Sequence, residues 1–195
     1  MRLKRNEECD LMLYKIISQL LSDEYKTKRS NVEDILNAYL EECCDRDLQE
    51  DLREFFSSLI AYAESKISIG ELLAVLREAL HERKLRSVAI IAFREICDLE
   101  IAEISRDWLD DLEPSVRMAY LKCLLKLFER GEVGVEELNP FIEDPSPKVR
   151  LTLASALLLH TDRRDVKSFL LRMLARERRY EVRNLIIEAL SSNGN

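Results

Sequence analysis

The sequence predicts an all-α protein built from repeated helical hairpins, and three observations carry that prediction. Only 4 Gly and 4 Pro punctuate 195 residues, which is sparse for a fold of strands and tight turns. Hydrophobic residues make up 47% and charged residues 34%, enough to bury one domain core and too apolar for a disordered chain. The third observation is a period. A branched apolar residue followed by Arg occurs at Leu52-Arg53, Leu85-Arg86, Val116-Arg117, Val149-Arg150 and Val182-Arg183, with the arginines 33, 31, 33 and 33 residues apart.

Residues 7–22 come first, and their Leu11, Leu13, Ile16, Ile17 and Leu20 describe one amphipathic helix. Residues 1–30 therefore read as an N-terminal capping helix, and 31–192 as five hairpins within a single domain, 1–195. The hairpins pair 31–44 with 47–64, 68–79 with 82–97, 99–110 with 114–130, 134–142 with 147–160, and 163–175 with 179–192. In each second helix the core stripe lies three, six and seven residues after the Arg, as in Tyr120, Cys123 and Leu124 or Leu153, Ala156 and Leu157. Mostly small residues at the sixth place let a neighbouring helix approach. The first helices show the same order: Ile69, Leu72, Leu73 and Leu76 match Val166, Phe169, Leu170 and Met173. Six residues before the Arg stands an acid in four repeats, Asp47, Asp111, Asp144 and Glu177, while the second repeat has Leu80. With Pro114 and Pro147 beside them, these turns read as helix starts, because Pro suits the first helical turn and a carboxylate suits the N-terminal end of the dipole.

These turns and their Val-Arg pairs resemble HEAT repeats, above all the short HEAT-like type found in phycobilin (PBS) lyases. The resemblance is most specific for the third to fifth repeats and covers about residues 31–192. It implies an α-α superhelix, a solenoid of stacked hairpins. It also implies a structural ladder in which the turn carboxylate of one repeat meets the Arg of its own or a neighbouring repeat, involving Asp111, Arg117, Asp144, Arg150, Glu177 and Arg183. A catalytic use of the same pairs would need a cleft and further partners.

Residue counts restrict the chemistry. With two histidines, His81 and His160, neither a triad nor an imidazole-rich metal centre is expected, and no cofactor or metal is assigned. HEAT-like deoxyhypusine hydroxylases hold two irons with several His-Glu pairs, whereas this chain has only His81-Glu82. HEAT-like DNA glycosylases use a basic, aromatic-lined face; here the one tryptophan, Trp108, reads as a core residue beside Ile101 and Ile104. Five cysteines (Cys9, Cys43, Cys44, Cys97, Cys123), an odd set without CxxC spacing, read as buried free thiols. No apolar run is long enough to cross a bilayer, and Met1–Arg5 leads into Glu7 and Glu8 where a signal peptide would turn apolar; a soluble, cytoplasmic protein is expected.

Charge is uneven. Residues 1–140 hold 20 basic and 30 acidic residues, and residues 141–195 hold 10 and 7. Arg163, Arg164, Lys167, Arg172, Arg176, Arg178 and Arg179 form a basic patch for an acidic partner or a nucleic-acid backbone, or else a solvated helix face. The HEAT resemblance places the Arg-bearing helices on the concave side. The helix face away from the core stripe then presents Met118, Lys122, Leu125, Leu151, Ser155 and Leu158 as a partly apolar strip. The expected function is a non-catalytic scaffold or adaptor that holds another protein there. The alternatives are nucleic-acid binding, a HEAT-like enzyme of the glycosylase or phycobilin lyase type, or burial of the strip by curvature or self-association.

Overall fold

The computed structural model describes residues 7–22 and 25–192, and among these every regular element is a helix. The basic opening Met1–Arg5 lies outside the described residues. No described helix is long and apolar enough to cross a membrane. The sequence reads as one domain; in the structure the chain falls into two compact units, Met1–Ile96 and Cys97–Asn195.

The first unit contains α1 (Glu7–Leu20), α2 (Tyr25–Cys43), α3 (Arg46–Ala63), α4 (Ile69–His81) and α5 (Arg86–Ile96). Two starts are specified by side chains. Asp45 accepts from the Leu48 amide at the head of α3, and Ser68 and Glu71 form a reciprocal capping box at the head of α4. Ile16, Ile17, Leu20, Leu40, Leu52, Phe56 and Leu59 are fully buried. α2 begins well before residue 31, because Tyr25 and Val32 are core residues of the same helix. α5 begins at Arg86 and not at 82, since Glu82–Leu85 form a turn in which the Glu82 carbonyl accepts from the Leu85 and Arg86 amides.

The second unit contains α6 (Leu99–Ile104), a 3-10 segment Arg106–Asp110, α7 (Pro114–Glu129), a 3-10 segment Val135–Phe141, α8 (Pro147–Leu157) continued by the 3-10 turn Leu158–His160, α9 (Arg164–Arg176) and α10 (Tyr180–Ser192). The first helices of the third and fourth repeats are thus short or 3-10 wound. Pro140 inside 135–141 removes one backbone donor, and the Ser105 hydroxyl bonds back to the Ile101 carbonyl where α6 stops. α8 packs against both α7 and α10, while α9 packs against α10 and the 135–141 segment. Trp108, Tyr120, Phe128, Phe141, Leu157 and Phe169 belong to this core.

The cysteines differ from the expectation of free thiols. Cys9 and Cys43 are joined at 2.00 Å, and Cys97 and Cys123 at 1.94 Å, leaving Cys44 free. The antiparallel α1–α2 pair brings the start of one helix to the end of the other, and α7 carries Cys123 back beside Cys97, two residues ahead of α6. Every bonded cysteine is also buried, so the apolar pattern around it is that of a packed small hydrophobe and conceals the bond. Burial pushes the Cys44 thiol up, which leaves little thiolate to exchange with the neighbouring disulfide.

Candidate functional site

The strongest polar constellation lies in the second unit and repeats itself. Arg117 donates from Nε (2.7 Å) and Nη2 (3.0 Å) to the two carboxylate oxygens of Asp144, 27 residues on, and from Nη1 to the Asp111 and Leu112 carbonyls. One repeat later Arg150 does the same: Nε (2.7 Å) and Nη2 (2.9 Å) donate to Glu177, 27 residues on, and Nη1 donates to the Asp144 carbonyl. The shared pattern is a fork across to the next turn and an anchor on the arginine's own turn. Both carboxylates also accept from amides at the following helix start, Ser146 for Asp144, and Arg178 and Arg179 for Glu177. Arg183 keeps the anchor alone, donating from Nη1 to the Glu177 and Leu174 carbonyls. The Asp111 carboxylate accepts from the Glu113 amide in its own turn.

Burial decides what these pairs can do. Side-chain exposure is 8% and 4% for Arg117 and Asp144, and 14% and 0% for Arg150 and Glu177. Desolvation pushes the Glu177 carboxyl up, but the Arg150 fork and the two backbone amides outweigh it and hold the group below the usual carboxylate range. The forks raise both Arg117 and Arg150, fixing them as cations. Every oxygen and every forked nitrogen is spent on a neighbour, so the constellation holds turns together and offers no group free to move a proton.

The strip is corrected by the structure. Met118 and Leu125 are each only 6% exposed and belong to the core of α7, as do the other apolar residues around that helix. The eleven buried residues of α7 leave it no open apolar face. Lys122 is half-buried. Only the α8 part is open: Leu151 is 37% exposed, Ser155 is exposed with its hydroxyl returned to the Leu151 carbonyl, and Leu158 is half-buried. Sequence reasoning missed Leu159, 87% exposed one turn beyond Ser155, and Leu112, 95% exposed at the head of α7. Leu159 could be found from the spacing, since 151, 155 and 159 lie four apart on one helical face.

The basic patch is partly spent. Arg163 pairs with Asp165 at 2.6 Å and lies over the Phe128 ring, Arg172 donates to Asn139, and Arg176 meets Glu143 at 3.4 Å. Arg164, Arg178 and Arg179 are exposed, and Lys167 is half-buried. Among the described residues no three His, Cys, Asp or Glu side chains gather as a metal site. No family model, curated protein or solved structure matches the chain.

Proposed function

We propose that the chain is a non-catalytic binding module, a short HEAT-like solenoid that holds another protein on the α8 face of its second unit. The observation that carries this reading is the open row of Leu151 and Ser155 on α8 and Leu159 in the 3-10 turn that continues it, with Leu158 beside it, on a helix whose other side is packed and whose N-terminal end is clamped by the arginine forks. Exposed leucines in series on a rigid edge lose little entropy on docking and gain apolar burial, which suits a protein partner. The repeated fork, at the same 27-residue offset in two successive repeats, supports the stacked-hairpin architecture. Disulfides restrict the setting: a cytoplasmic home suits them where the cytosol tolerates such bonds, as in hyperthermophiles, and otherwise an oxidising compartment does.

The test is affinity capture from the source cells with three baits: the native chain, Leu151→Glu with Leu159→Glu, and Arg164→Glu with Arg178→Glu. A protein retained by the native bait and the arginine variant but lost from the leucine variant supports the reading. Retention by the leucine variant and loss from the arginine variant, with capture that falls steeply as salt rises, would favour the second reading. That reading is an anionic ligand such as nucleic acid, to which exposed Arg164, Arg178 and Arg179 lend themselves.

A further inference from the structure

Three turns of the second unit stand in a row because the arginine forks join them. Arg117 holds the Asp111 turn to the Asp144 turn, Arg150 holds the Asp144 turn to the Glu177 turn, and Arg176 meets Glu143 across the second joint. The turns lead into α7, α8 and α10, whose first residues are Pro114, Pro147 and Tyr180. Their outer residues make an apolar ridge. Leu112 is 95% exposed and Tyr180 73%, Pro114 and Pro145 are exposed, and Pro147 is half-buried. Charge along this ridge is graded. The eight residues that end at each ladder arginine hold three acids and one base at 110–117, two of each at 143–150, and two acids and four bases at 176–183. Net charge therefore runs from −2 through 0 to +2. Just outside these windows, Asp107 extends the acidic end, Arg106 is paired with Glu103, and Arg172 is held by Asn139.

We infer that this ridge is the contact face of a two-fold dimer, in which a second copy of the chain lies antiparallel along it. The gradient selects that occupant. An antiparallel copy sets the basic turn on the acidic turn at both ends and neutral on neutral between them, whereas a parallel copy would set like charge on like. A uniformly acidic ligand, such as a nucleic-acid backbone, suits only the Arg178–Arg179 end and is repelled from the Asp110–Glu113 end. The same pairing brings Leu112 toward Tyr180 of the partner subunit twice over, covering the two most exposed apolar side chains of the ridge, and Pro145 and Pro147 come near the axis. The forks fix the three turns before contact, so little has to be ordered on pairing. Helices packed about 8–10 Å apart make a three-turn ridge about 20 Å long, which places the contact in the small, weak class of interface. The leucine row on α8 plays no part in it.

Sedimentation velocity between about 1 µM and about 1 mM, the span over which a small interface saturates, tests this directly. The native chain should pass from monomer to dimer and stop there, since a two-fold contact uses the whole ridge. Arg178→Glu and Asp110→Arg should each weaken the dimer by about tenfold or more, because each sets like charge on like at both ends. Mixed, the two variants should form a one-to-one dimer of native strength, since the two reversed side chains then face each other and so do the two native ones. Leu112→Ser should weaken the dimer while keeping native helicity and melting, because the side chain is 95% exposed, and it serves if a charge variant fails to fold. A native chain that stays monomeric throughout overturns the inference, as does one that grows past a dimer. A mixture no stronger than its separate parts, or a Leu112→Ser variant that dimerises like the native chain, overturns it too.

Discussion

Arg150 touches two repeats with different atoms, and that division sets what each substitution removes. Its fork meets the Glu177 side chain, whereas its anchor meets the Asp144 backbone carbonyl, which survives any substitution at 144. Arg150→Ala and Glu177→Ala should each cost about 3 kcal/mol or more, because each leaves a buried partner unpaired. In a denaturation double-mutant cycle they should couple strongly, as should Arg117 and Asp144, whereas Arg150 and Asp144 should couple far less. Equal coupling of Arg150 to both acids would place the ladder within one turn instead of between turns. Acid adds a second check. The Glu177 carboxyl is held below its unfolded value of about 4.3, so its contribution is complete above that pH and drains away as pH falls through the lower folded value. The stability difference between native chain and Glu177→Gln, followed by urea melts, should therefore be greatest near neutrality and shrink below about pH 4.

At the scale of the helix, α7 and α8 show how equal register gives unequal exposure. Met118 and Leu151 occupy the same place after their arginines, yet Met118 is buried and Leu151 is 37% exposed. Met118→Glu should cost about 3 kcal/mol or more by leaving a carboxylate in the core. Leu151→Glu should change the thermal midpoint little, and equal losses in the two would mean that the faces are alike. The sequence makes the stripe legible because core residues recur every 33 residues with helical spacing. It does not show which other faces are covered, because that depends on what packs beside each helix. The arginine ladder is half legible in the same way: the spacing identifies Asp144, Glu177 and their arginines, but only the fold selects the neighbouring turn as the partner. Cys9–Cys43 and Cys97–Cys123 left no local signal at all, as their bonds join residues 34 and 26 positions apart on faces that any small apolar side chain could fill.

Across the whole molecule, each compact unit carries one disulfide, so oxidation state bears on both. A thiol titration of the denatured, unreduced chain should find one reactive sulfur, Cys44, and five after reduction. Reduction should destabilise each unit by about 2–4 kcal/mol, the usual effect of releasing a loop of this size. Finding five thiols without reductant would mean that neither bond is present. Docking of another protein on the α8 face is tested by amide hydrogen exchange of the chain, with and without the partner captured by the native bait. A protein docked there should add protection confined to residues 147–160 and the side of α10 packed against them. Protection centred instead on the 1–96 unit, or on the Arg176–Arg179 turn with α8 unchanged, would contradict it.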